Sequence, residues 1–291
     1  MKVLILGSAG MLGHKLYQVL SPVFDVTGTI RGHYSDVSDY GFFQPSQIVA
    51  DADARDISRI EQIIEETGPD VVINSIGVVK QLEKERGVFQ NIWLNSLFPH
   101  QLYQVCQAKG IRLIHVSTDC VFSGRKGNYR EDDPSDAEDT YGKTKYLGEV
   151  SGVGALTIRT SLIGRELAST NGLIEWFLSN QGEKVNGYTN AIFSGFPTLH
   201  LARIIADIIA EHRDLNGIYH ISSEPISKFQ LLTLIKKAMK LNIKIGEYPD
   251  YHCNRSLDST KYREETGFTP PSWEKMVEEL TQDAVQYQKW R

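Results

Sequence analysis

The chain has 291 residues, 41% apolar and 23% charged, with a formal net charge of −5, so it can bury a sizeable core as one large α/β domain or two linked ones. Mild acidity without a long lysine or arginine run excludes a general nucleic-acid or membrane surface. Three cysteines far apart, Cys106, Cys120 and Cys253, show neither a disulfide framework nor metal-ligand spacing, so no metal site is expected.

Val3 to Leu6 form an unbroken apolar run, as in a strand buried on both faces. Gly7, Gly10 and Gly13 follow at once, and Leu12, Leu16, Val19 and Leu20 recur at helical spacing. Strand, glycine turn and helix in this order open a dinucleotide-binding unit. Glycine permits a tight turn and close backbone approach, and the first amides of the helix, around Met11 and Leu12, can hold a pyrophosphate. The second strand, Phe24 to Ile30, ends at Arg31. An acidic residue there would bind an NAD ribose, whereas Arg31 offers a bidentate donor to a 2′-phosphate. The expected cofactor is NADPH, with NADH the alternative.

A strand at Gln47 to Ala50 leads into Ala52–Asp56, where Asp53 and Ala54 suit an adenine contact. After an amphipathic segment, Ser58 to Glu66, Asp70 to Ser75 reads as the fourth strand. A long helical stretch runs to Lys109-Gly110, Ile111 to Ser117 is the fifth strand, and Ala155 to Thr160 the sixth. Such alternation implies a Rossmann-type, doubly wound parallel sheet. Ligands bind at the carboxyl ends of its strands, which adds Ser75 and Gly77 to the cofactor candidates. The acidic stretch Glu131-Asp132-Asp133-Pro134 reads as a solvated loop.

Beyond about residue 165 the pattern loosens. Gly172 to Leu178, Leu199 to His212, Lys228 to Lys240 and Trp273 to Tyr287 read as helices, and Gly217 to Ile221 as a strand returning to the main sheet. The expected division is a cofactor domain over 1–165 and a smaller substrate lobe over 166–291, with 198–222 returning to the first. The chain opens directly on a core strand with no secretory pattern, and no apolar run approaches the roughly 20 residues that span a bilayer. The expected location is cytoplasmic.

Tyr141 and Lys145 stand four apart on one helical face. A nearby cation favours a phenolate and brings a tyrosine down from about 10, which suits it to proton transfer near neutrality. The spacing alone is weak, since both residues are common, but Thr118 and the glycine turn precede it.

The glycine spacing, three and three, resembles that of the short-chain dehydrogenase/reductases. Further segments agree in order: Asp70-Val71-Val72-Ile73-Asn74, Ser117-Thr118-Asp119-Cys120-Val121-Phe122-Ser123-Gly124, Tyr141-Gly142-Lys143-Thr144-Lys145, Ile158-Arg159-Thr160-Ser161, Gly195-Phe196-Pro197-Thr198 and Arg255-Ser256-Leu257-Asp258. Together they make the chain resemble, over essentially its whole length, the extended branch acting on nucleotide sugars, and within it the dTDP-4-dehydrorhamnose reductase family. That resemblance implies NADPH-dependent reduction of the C4 ketone of a nucleotide-linked 4-keto-6-deoxy sugar. Thr118 would hydrogen-bond the substrate oxygen, Tyr141 would protonate it, and Lys145 would hold the nicotinamide ribose. Asn95 would serve structure or a proton relay.

Two departures matter. Dehydratases of the superfamily carry an Asp-Glu pair where this chain has Asp119-Cys120, so dehydration is disfavoured. The reductases usually have tyrosine at Cys120, and the smaller side chain leaves room for another substituent, such as an acetamido group on a UDP-linked sugar. Some relatives dimerise through magnesium held by acidic residues where this chain has His14-Lys15, so no metal is carried over. For the sugar diphosphate Arg255 is the first candidate, then Lys80 and Arg165. Asp119 and Cys120 would face the sugar, although Asp119 could equally cap its own loop. Trp176 and Tyr188 could stack on a base or pack a core. The expected partner is the nucleotide-sugar substrate alone, with the chain a monomer or homodimer and no nucleic acid or membrane involved. Two other readings stay open: a 4-epimerase retaining NAD, and a non-catalytic NADP-binding regulatory subunit like that of methionine adenosyltransferase.

Overall fold

The structure is a computed structural model and describes residues 1–290. Its first elements are β1 (Lys2–Leu6), α1 (Gly13–Leu20), β2 (Asp25–Thr29), β3 (Ile48–Val49), α2 (Ile57–Thr67), β4 (Val71–Asn74), α3 (Glu83–Asn91), α4 (Phe98–Ala108), β5 (Arg112–Val116), α5 (Thr140–Leu147) and β6 (Ala155–Arg159). There follow β7 (Leu162–Ile163), α6 (Leu173–Ser179), β8 (Lys184–Tyr188), β9 (Ala191–Phe193), β10 (Phe196–Pro197), α7 (Thr198–Glu211) and β11 (Gly217–His220). The chain closes with β12 (Ile226–Ser227), α8 (Lys228–Ala238), β13 (Lys244–Tyr248), β14 (Cys253–Asn254), α9 (Thr260–Thr266) and α10 (Trp273–Ala284). Two compact units interleave along this path: 1–117 with 139–158 and 201–218, and 118–138 with 159–200 and 219–291.

The first unit is built on a seven-stranded sheet in the order β11-β6-β5-β4-β1-β2-β3, of which the last residues of β6 (Arg159) and β11 (Tyr219–His220) are counted with the second unit. All pairs from β3 to β6 are parallel. β1 lies between β2 and β4, so strand order reverses there, and the crevice at the carboxyl ends of β1 and β4 is where such sheets bind ligands. Val3 to Leu6 are at most 1% exposed, as a parallel strand covered on both faces requires. One face packs Leu4, Leu6 and Val72 against Ile60, Ile63 and Ile64 of α2 and Phe98 and Leu102 of α4. Each such side chain contributes about 1.5–3 kcal/mol on burial.

The stretch expected as one helix between β4 and β5 is broken. Gly87 has φ +75° inside α3, and a π-helical turn spans Ile92–Leu97 before α4. Pro99 has no amide to offer the Asn95 carbonyl four residues back, which disrupts the α ladder there. That carbonyl instead faces Gly148 after α5, where a Cβ would stand 1.8 Å from it.

In the second unit β7 pairs with β10, β12-β9-β14 form a small sheet, and β8 and β13 form a parallel ribbon. Phe122 stacks on Tyr129 at 4.1 Å, and Arg159 lies over Phe122 at 5.2 Å. The acidic stretch is not simply solvated. Glu131 accepts the His220 amide at 2.8 Å, and burial, more than any neighbour, raises its carboxyl pKa. Asp133 pairs with Lys126 at 2.5 Å.

Candidate active site

Where β1 ends, Gly7 takes φ +86°, a left-handed conformation that side chains rarely adopt. A Cβ on Gly13 would lie 2.0 Å from the Gly7 carbonyl oxygen, so the three-and-three spacing lets α1 start directly on the turn. The Gly10 amide donates to the Gly7 carbonyl at 3.0 Å. The N-cap position is Leu12, no side chain caps the helix, and no acid stands in its first turn. An uncapped helix start beside bare glycine backbone suits an anion such as a pyrophosphate, and Met11 and Leu12 belong to this turn.

At the end of β4, Ser75 donates its hydroxyl to the Leu6 carbonyl at 2.6 Å and thereby ties β4 to β1. A Cβ on Gly77 would stand 3.0 Å from Asn95 Oδ1 and 3.9 Å from Lys145 Nζ, so glycine keeps the space beside that ammonium open. The turns after β2 and β3 are joined by the Ala52 amide donating to the Ile30 carbonyl at 3.0 Å. Arg31 is exposed there. Asp53 is held by Arg55, whose amide donates at 2.9 Å and whose guanidinium approaches to 2.5 Å. The Arg55 hydrogen bond, opposed by partial burial and aided by Arg31, holds the Asp53 carboxyl below its ordinary range. Arg55 and Arg31 thus both act on this one carboxylate, and the Asp36 and Asp51 carboxylates stand on the same turns. Arg55 was missed from sequence, although its two-residue spacing from Asp53 was legible. Ala54 is buried in the core.

Asp139 caps α5 by accepting the Gly142 amide at 2.7 Å. Lys80, a candidate for the sugar diphosphate, pairs with this same carboxylate at 2.5 Å. Tyr141 is half-buried on the first turn of α5, and Lys145, one turn on, is buried. Lys145 Nζ donates to the Val116 carbonyl at the end of β5 at 2.8 Å. Burial lowers its pKa to about 8, and the Glu149 charge opposes the shift. Glu149 also accepts the Ser117 hydroxyl at 2.7 Å. It was missed from sequence, but its spacing of four from Lys145 is a usable signal. Asn95 accepts the Val78 amide at 2.8 Å and donates to Thr144 Oγ1 at 3.3 Å, so it braces the loop after β4 against α5. Beneath it His115 sits 3.1 Å from the Asn74 amide nitrogen. Burial first, and the Lys145 charge second, keep this imidazole neutral.

In the second unit Thr118 caps the turn Asp119–Val121. Its hydroxyl accepts the Cys120 amide at 3.1 Å and donates to Asp119 Oδ1 at 3.2 Å. Asp119 is buried, and burial raises its carboxyl pKa against the opposing Arg255 charge. Cys120 is half-buried beside it. Arg255 is also half-buried and donates Nε to the Phe122 carbonyl at 2.7 Å. Arg165, by contrast, is buried and paired with Glu175 at 2.7 Å, with its guanidinium 5.1 Å from the Tyr287 ring centre. Trp176 is 40% exposed. Among the described residues no group of three His, Cys, Asp or Glu is placed to hold a metal ion. No helix among them is long and apolar enough to cross a membrane.

Comparison with known proteins gives the family and the fold. The RmlD substrate binding domain model matches residues 1–286. The spore coat polysaccharide biosynthesis protein SpsK of Bacillus subtilis is 27% identical over 74% of this chain and 80% of its own length. The dTDP-4-dehydrorhamnose reductase of Aggregatibacter actinomycetemcomitans is 25% identical over 96% of this chain and 98% of its own. A crystal structure of dTDP-4-dehydrorhamnose reductase from Bacillus anthracis in complex with NADP, 24% identical, shares the fold with a TM-score of 0.77 over 97% of this chain and 99% of that one. The chain belongs to the RmlD substrate binding domain family.

Proposed function

We propose that the chain is an NADPH-dependent reductase of the C4 ketone of a nucleotide-linked 4-keto-6-deoxy sugar. The observation that carries this reading is Lys145, a buried ammonium locked on the Val116 carbonyl, one helical turn from Tyr141 and beside the space left by Gly77. The fit to a dinucleotide rests on the uncapped start of α1 on the Gly7 turn. Gly7, Gly10, Met11, Leu12 and Gly13 would hold its pyrophosphate, and Arg31 with Arg55 a 2′-phosphate. Family membership and the reductase named among the relatives support the same activity.

When bound, NADPH supplies the hydride that reduces the carbonyl carbon. Tyr141 gives its phenolic proton to the carbonyl oxygen as negative charge develops there. The Lys145 charge favours the phenolate left behind. The family resemblance assigns Thr118 a hydrogen bond to the substrate oxygen, and oriented donors of this kind lower the barrier further. Positioned proton transfer alone contributes typically about 10²–10⁴-fold.

The test is NADPH absorbance followed against dTDP-, UDP- and GDP-linked 4-keto sugars. Stoichiometric oxidation with one of them is expected. Sugar interconversion with no net cofactor use would replace the reading with an epimerase, and inertness towards all of them with a regulatory role.

A further inference from the structure

Lys145 and Glu149 stand four residues apart, and the groups they bond are consecutive in the chain. The Lys145 ammonium takes the Val116 carbonyl at 2.8 Å, and the Glu149 carboxylate takes the hydroxyl of the next residue, Ser117, at 2.7 Å. A cation and an anion from one stretch of chain thus hold the carboxyl end of β5 between them. Ser117 is buried and Glu149 half-buried.

An exposed pair at this spacing contributes little, because both side chains are free to swing. This acid is instead fixed by the backbone on both sides. Before it, Gly148 ends α5, its amide on the Thr144 and Lys145 carbonyls at 3.2 Å each, and packs so closely on the Asn95 carbonyl that no side chain fits. After it, the Val150 amide donates to Thr157 Oγ1 at 3.2 Å, and the Val150 carbonyl accepts that hydroxyl at 2.6 Å. Thr157 lies on β6, in register with His115 of β5. The Glu149 amide itself donates to the Tyr146 carbonyl at 3.1 Å.

A buried ammonium needs a counter-charge. The titratable groups around Lys145 are Tyr141 one turn earlier on α5, His115 on β5 and Glu149. Asn74 of β4 and Asn95 of the π-helical turn carry no charge. His115 is kept neutral by its burial, and His100 of α4 acts on His115. Asp139, at the start of α5, is paired with Lys80. On α3, which also packs on α5, Lys84, Glu85 and Arg86 are exposed. The anion left to offset the Lys145 charge is Glu149, and its charge is the one that opposes the effect of burial there.

We propose that Glu149 is the positioning counter-ion of Lys145: it keeps the ammonium charged on the Val116 carbonyl and thereby sets the upper pH limit of turnover. The pH limit rests on the reductase reading above, whereas the pairing of the two charges stands apart from it. Ser117 aims the carboxylate, and Glu149 acts on the reaction only through Lys145.

The experiment has two readouts on the full chain: the pH profile of turnover, and the titration of Lys145 followed by NMR of isotope-labelled lysine, its signal assigned by loss in Lys145→Met. Three variants separate charge from hydrogen bond. Glu149→Gln removes the charge and still accepts the Ser117 hydroxyl, Glu149→Asp keeps the charge, and Ser117→Ala keeps the charge without the bond. In Glu149→Gln the Lys145 midpoint and the alkaline limb of turnover should both fall by about one pH unit or more. In Glu149→Asp and Ser117→Ala both should stay near the wild-type positions. An unmoved Lys145 midpoint in Glu149→Gln, or turnover lowered equally at every pH, would overturn the proposal and leave the reductase reading intact. An equal shift in Ser117→Ala would overturn it too, by tracing the effect to the hydrogen bond. If the midpoint falls but the wild-type chain reduces none of the 4-keto sugars, the reductase reading fails and the charge pairing stands.

Discussion

The Lys145 ammonium donates to the Val116 carbonyl at 2.8 Å and is only 5% exposed. It is thus held where its charge costs most and acts most strongly on its surroundings. Burial drags its pKa to about 8, so near neutrality most molecules carry the charge and at mildly alkaline pH most do not.

A sign follows for stability. The folded-state value, about 8, lies below the ordinary 10.5, so between these pH values the unfolded chain binds more protons. The penalty of burying this cation is fully present below pH 8 and fades as pH rises to about 10.5. Lys145→Met should therefore melt higher than wild type at pH 7, by a margin of about 1–3 kcal/mol, while losing turnover. The margin should close at pH 10.5. Scanning calorimetry at both pH values checks this, and a margin that does not shrink with pH rules out burial of charge as its origin.

Tyr141 lies one turn earlier on the same helix. Tyr141→Phe removes only the hydroxyl, so NADPH affinity should hold while turnover drops by about 10²–10⁴-fold. Fluorescence titration with NADPH and steady-state rates on the reactive sugar separate the two effects. Wild-type turnover in this variant would assign the proton to another group.

Arg31 and Arg55 flank Asp53 at the rim expected for the cofactor's 2′-phosphate. Arg31→Ala should raise the KM for NADPH by about tenfold or more, one charge-assisted contact being worth roughly 1.5–3 kcal/mol, and leave that for NADH nearly unchanged. Equal losses for both coenzymes would withdraw the 2′-phosphate assignment.

The legible part of this protein was the part written locally. Val3 to Leu6, the glycines behind them and the Tyr141–Lys145 spacing each show their purpose within a few residues, because strand burial, left-handed turns and helical faces are short-range properties. Glu149, Arg55 and the Asn95 brace acquire meaning only from partners brought by the fold. Spacing hints at the first two, but a bond from Asn95 to Val78 across 17 residues and another to Thr144 across 49 leave no local trace. The break at the π-helical turn was marked by Pro99 alone. Tyr188 and Tyr248 end two strands 60 residues apart in sequence, and only the register of the ribbon shows that they pair.

Arg165 illustrates the reverse, a cation that suits a phosphate by position and is used otherwise. Its Nε lies 2.7 Å from Glu175, with side-chain exposures of 10% and 2%, and the same carboxylate oxygen accepts the Glu166 amide at 3.0 Å. Removing one partner leaves a buried charge uncompensated, so Arg165→Met should destabilise the chain by about 3–5 kcal/mol. The double variant Arg165→Met with Glu175→Leu removes both charges and should recover much of that loss, less the bond to Glu166. Denaturant midpoints for the two single variants and the double complete the cycle. If Arg165→Met instead leaves stability intact and weakens binding of the sugar nucleotide, the pair is not what holds this arginine, and its place is with the substrate.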